Sequence, residues 1–108
     1  MSEEALPEEE QEEEFQIPLP PASFNLLVLS LRTQAEMQLG LMHFDQEEKP
    51  KTDLHLARHT IDTLGILLDK TKGNLEIEEQ RLLENSLTEL RFRFVQISEE
   101  TSNAAQKS

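Results

Sequence analysis

Two apolar seams of one period, joined by a short glycine turn, constrain this chain more than any other feature. Leu54, Ala57, Ile61, Leu64 and Leu68 recur at spacings of 3, 4, 3 and 4, and Leu83, Leu87, Leu90, Phe94 and Ile97 at 4, 3, 4 and 3. Such spacing keeps apolar side chains on one stripe of an α-helix, and a stripe of that kind is buried against another helix. Between the seams lies TKGNLEIEEQRLL, residues 71–83. Lys70 and Lys72 suit the negative end of a helix dipole. Gly73 stands where a helix needs positive φ, the C′ position, and Leu75 can pack back on the helix it leaves. Glu76, Glu78 and Glu79 then suit the positive end of a new helix. The stretch reads as the turn of an antiparallel helical hairpin rather than a loop that carries chemistry.

A further helix precedes the hairpin. Ser23 is a good N-cap, and the helix is expected from Phe24 to about Leu41. At 100° per residue, Phe24, Leu27, Val28, Leu31, Ala35 and Met42 share one face, while Leu26, Leu29, Met37 and Leu41 lie close to the opposite one. Arg32 and Glu36 occupy one strip between these faces, and Gln34 and Gln38 the other. HFDQEEKPK, residues 43–51, is a polar connection, after which Thr52 or Asp53 can cap the second helix. The fold expected is all-α: a three-helix protein in which the hairpin of helices 2 and 3 packs on helix 1. Apolar periodicity stops at SEETSNAAQKS, residues 98–108. The helical domain is therefore expected over 22–100 and a frayed terminus over 101–108.

Charge is unevenly placed. The chain of 108 residues carries a formal charge of −12, and residues 1–16 hold eight Glu and no basic residue. Glu runs repel and bury little apolar surface, so residues 1–21 read as a disordered acidic tail, stiffened by IPLPP at 17–21. The remaining 14 acids and 10 bases make the folded part mildly acidic. This argues against direct nucleic-acid binding, which needs clustered Lys and Arg. It leaves a basic protein as the partner the tail could engage. With no cysteine there are no disulfides, thiolate metal sites or cysteine catalysis, which suits a reducing compartment. The amino terminus lacks the basic and apolar regions of a secretory signal, and the stretch 24–42 is too polar to span a membrane. The expected location is the cytoplasm.

The segment LARHTIDTLGILLDKTKGNLEIEEQRLLENSLTELRFRFV, residues 56–95, resembles a bacterial family of uncharacterised proteins, domain-of-unknown-function family 1844. IDTLG, KTKGNL and ELRFRF at this spacing carry the resemblance, and SFNLLVLSLRTQAEMQLG, residues 23–40, looks like the family's first helix. The family often has Thr-Pro after its Asn-Leu, where Glu76 and Ile77 stand here. That substitution removes a capping residue and is expected to weaken the start of the third helix slightly. The resemblance implies a small helical cytoplasmic protein and brings no activity, cofactor or catalytic residue.

Few residues suggest chemistry. His55, His59 and Asp62, spaced i, i+4, i+7, share a helix face and are candidate metal ligands. The competing reading is a solvated strip opposite the leucine seam, with Arg58 and Asp62 as an ion pair. Helices commonly carry such faces, and this second reading is the favoured one. Arg91 and Arg93 alternate with Phe92 and Phe94, a pattern that in a strand could stack on bases. The leucine period runs on through Ile97, so the helical reading prevails: Phe94 joins the seam and Phe92 points nearly opposite. An outward aromatic beside arginine suits an association surface. Ser86 and Ser98 lack triad partners at a recognisable spacing, and the three glycines form no phosphate loop.

No catalytic residue and no cofactor is assigned. The expected function is a non-enzymatic, self-associating helical module, a homodimer with Leu26, Leu29, Met37, Leu41 and Phe92 as interface candidates. A core of this size supplies only ~3–5 kcal/mol, and oligomerisation is a common remedy. The alternative is a small metal-dependent or acid–base enzyme using His55, His59 and Asp62.

Overall fold

The computed structural model describes residues 18–42 and 51–107, with side chains through Ala104. Among the described residues there are three helices and no strand: α1 (Phe24–Gln38), α2 (Leu54–Lys70) and α3 (Ile77–Lys107). Each packs on the other two. The core is Val28, Ala35 and Leu39 against Ala57, Ile61 and Leu64 of α2 and Leu83, Leu87 and Leu90 of α3. These are the two seams the sequence marks, with Leu54, Leu68, Phe94 and Ile97 partly buried at their ends.

Side chains fix the helix starts. Ser23 Oγ accepts from the Leu26 N–H at 3.0 Å, and Asp53 Oδ1 accepts from the Leu56 N–H at 3.0 Å. Caps of this kind contribute about 1 kcal/mol each. At α3 the Glu76 N–H donates to Glu79 Oε1 at 2.9 Å, the reach-back half of a capping box. Glu76 therefore lacks a capping side chain but retains the second of the two bonds. The hairpin turn closes where the Asn74 N–H meets the Thr71 carbonyl at 2.9 Å, with Gly73 at φ 80° in the third position, as a type II turn requires. Gly73 has the expected positive φ, although it stands one residue beyond C′, because Thr71 is the C-cap.

Three expectations need correction. α1 ends at Gln38, not near Leu41. Gly40 has φ 82°, its N–H donates to the Met37 carbonyl at 3.0 Å, and the Leu41 N–H donates to the Glu36 carbonyl at 2.9 Å. This is a Schellman motif with Gly40 at C′. The start of α2 is tied to this end: the Asp53 N–H donates to the Gln38 carbonyl at 2.7 Å, Thr52 Oγ1 to the Leu39 carbonyl at 3.3 Å, and Thr60 Oγ1 to Gln38 Oε1 at 2.7 Å.

The second correction concerns which way α1 faces. Leu27, expected inward, is 45% exposed, and Met42 is exposed as well, whereas Leu39, on neither expected face, is 1% exposed. Consecutive residues differ by 100°, so a face centred on Val28 and Ala35 turns Leu27 outward.

The third is the length of α3, which runs to Lys107 rather than ending near 100. No Gly or Pro follows Gly73 to stop it. The expected disorder of the tail, residues 1–17, lies outside the described residues; Pro18–Pro21 are exposed and non-helical.

Ser86 is fully buried among the α3 leucines, and its Oγ has no hydrogen-bond partner among the described residues. An unmatched buried hydroxyl costs about 1–3 kcal/mol in desolvation, so Ser86→Ala is expected to leave stability unchanged or raise it. Urea unfolding checks this, and a clear drop in midpoint would show that the hydroxyl is hydrogen-bonded.

Candidate functional site

The side of α1 turned away from the hairpin is an uncharged stripe. Leu29 and Met37 are 43% and 40% exposed, Leu26 is half-buried, and Ser30 and Thr33 fill the intervening positions. Ser30 Oγ donates back to the Leu26 carbonyl at 2.8 Å, so its proton is used within the helix. The nearest charges, Arg32 and Glu36, neutralise each other along one edge at 3.3 Å. The spacing of Leu26, Leu29 and Met37 makes this a ridge that the rest of the described chain leaves open. Leu41 is not part of it. Lying past the Schellman glycine, it borders a depression of about 260 Å³ with Glu36, Met42, Glu89, Leu90 and Arg93, between the end of α1 and α3.

His55, His59 and Asp62 are all exposed and share one face of α2. With Leu56 and Arg58 they border an open depression of about 370 Å³ built from that helix alone. Among the described residues, no group of three or more His, Cys, Asp or Glu is placed to hold a metal ion. The ion pairs among them are Arg32–Glu36 at 3.3 Å and Arg93–Glu89 at 3.8 Å. The expected Arg58–Asp62 pair is therefore not formed; both side chains instead border the groove between α2 and α3.

That groove holds about 310 Å³ and is lined by Arg58, Ile61, Asp62, Arg91, Phe94 and Val95. Phe92 stands outside it, 63% exposed on the side away from the seam, as its helical phase predicts. A feature missed in the sequence lies beside the groove, in an adjoining depression lined by Asp62, Gly65, Ile66, Leu68, Asp69 and Arg91. A Cβ at Gly65 would lie 3.1 Å from Arg91 Nη2, so the glycine leaves a notch across which the guanidinium lies. The available signal was a glycine inside a helix, where it costs about 1 kcal/mol relative to alanine. No described helix is long and apolar enough to cross a membrane.

A family model described as Domain of unknown function (DUF1844) matches residues 21–96. The chain belongs to this family. The DUF1844 match covers α1, α2 and α3 as far as Gln96, which is all of the packed core except Ile97 at its edge. The acidic run of residues 1–16 and the end of α3 from Ile97 onward lie outside it. No curated protein and no solved structure matches the chain. Membership in DUF1844 assigns no activity, since the function of that domain is unknown.

Proposed function

We propose that this DUF1844 protein is a non-enzymatic helical module that works by binding, and that it self-associates as a homodimer through the outer face of α1. The observation that carries this reading is the uncharged ridge of Leu26, Leu29 and Met37, which no layer covers among the described residues. Burying a large apolar side chain contributes about 1.5–3 kcal/mol. A two-fold axis sets the same ridge against its own copy, so each side chain counts twice. The His55, His59 and Asp62 strip lies on one exposed helix face, which supports binding rather than catalysis as the mode of action. The acidic tail is the second binding element, suited to a basic protein. The proposed setting is the bacterial cytoplasm, in keeping with the resemblance and with the absence of cysteine.

Sedimentation tests the reading. The wild-type chain should run as a dimer at micromolar concentration, and Leu29→Glu should shift it toward monomer. A wild-type chain that stays monomeric at high concentration would sink the proposal.

A further inference from the structure

The groove between α2 and α3 is lined by the apolar residues Ile61, Phe94 and Val95 and by Arg58 from one helix and Arg91 from the other. Neither arginine is in an ion pair among the described residues, where the pairs are Arg32–Glu36 and Arg93–Glu89. The Arg91 guanidinium passes Gly65, where a Cβ would stand 3.1 Å from Nη2, and so also borders an adjoining depression with Asp62 and Asp69. Two guanidiniums beside an apolar trough match a peptide whose carboxylates stand next to an aromatic residue. Asp62 borders the same groove, so its lining carries a net charge of only +1, two arginines less one aspartate. That suits a few carboxylates better than a dense phosphate backbone.

The chain contains such a peptide in residues 12–17, EEEFQI. Solvation by charge explains the Glu run but not Phe15 and Ile17. In an extended segment these two side chains fall on the same side. Ile17 is joined to α1 by residues 18–23, which span at most about 20 Å when extended. Gln38, at the far end of α1, is the residue that meets Thr60, so the segment reaches the groove with residues 18–23 extended; the contact is then intramolecular and a weak one is sufficient.

We propose that Glu12–Ile17 docks in the α2–α3 groove, with the glutamates on Arg58 and Arg91 and with Phe15 and Ile17 on Ile61, Phe94 and Val95. The contact does not depend on the pairing of α1.

The absence of cysteine makes the test direct, because a nitroxide on Gln16→Cys is the single label in the full chain. A contact this weak exchanges fast, so even half-occupancy, which a dissociation constant near the tether's effective concentration gives, should broaden the amides of Ile61, Phe94 and Val95 nearly completely. Signals of Leu29 and Met37 should be spared. Arg58→Gln/Arg91→Gln should restore the lost signals. So should Glu12→Gln/Glu13→Gln/Glu14→Gln, which changes no residue of the helical domain. Running the label in the Leu29→Glu background separates this contact from α1 pairing, since the loss should persist there. No loss in the groove, a loss centred on Leu29 and Met37, or a loss that both sets of substitutions leave in place would overturn the proposal.

Discussion

Gly40→Ala is expected to cost about 2–4 kcal/mol, and Gly73→Ala only about 1 kcal/mol. The two sites share a backbone conformation, φ 82° and 80°, so the penalty for placing an L-residue there is the same. They differ in what the new methyl meets. At Gly73 nothing lies within 4 Å, whereas at Gly40 a Cβ would stand 2.5 Å from Thr52 Oγ1. That hydroxyl cannot swing away freely, because it donates to the Leu39 carbonyl at 3.3 Å. Making room breaks a bond that ties α1 to the start of α2. A domain with this small a core has a total stability of only ~3–5 kcal/mol, so the Gly40 variant should be largely unfolded in mild urea. In a Thr52→Ala background the clash is absent and the Gly40→Ala cost should fall toward that of Gly73→Ala. Urea unfolding of the double-mutant cycle checks this. Equal costs at the two glycines would mean that Thr52 does not press on Gly40.

The contrast between those glycines also shows what the sequence can and cannot disclose. Gly73 sits between two clean seams, so the helix end and its positive φ follow from the pattern. Gly40 lies inside the apolar run LGLM, where periodicity reads straight through it. Its role depends on Thr52, which comes against it only once α2 is docked. The seams of α2 and α3 were legible because each has apolar residues on one side only. α1 has them nearly all round, so periodicity could not choose between Leu27 and Leu39 for the core. On α3 the apolar pattern stops at Ile97 although the helix continues, because periodicity reports burial rather than helicity. The exposed positions of Phe92 and of His55, His59 and Asp62 follow from helical phase alone. The Arg91–Gly65 contact requires the register of two helices, and no single segment contains it.

Leu39→Ala is expected to cost about 2–5 kcal/mol, and Leu27→Ala about 1 kcal/mol or less. From the sequence the order would be reversed, since Leu27 was placed on the inward face and Leu39 on neither. In the fold Leu39 is among the largest fully buried side chains, while Leu27 is almost half exposed. The cost of a truncation depends on how well the site can collapse around the missing atoms. Here collapse is resisted by the backbone on both sides of Leu39. The Gln38 carbonyl is held by the Asp53 N–H at 2.7 Å, the Leu39 carbonyl by Thr52, and the Gly40 and Leu41 N–H groups by the Schellman bonds. The loss should therefore fall in the upper half of the range, enough to remove most of the stability of a small domain. Both truncations should be made in the Leu29→Glu background, so that burial of Leu27 against a second copy does not enter the comparison. Urea midpoints at equal slope give the two costs. A larger loss at Leu27 than at Leu39 in that monomeric background would mean that α1 turns Leu27, not Leu39, toward the hairpin. The ridge of Leu26, Leu29 and Met37 would then rotate with it, and the association surface would have to be sought on another face.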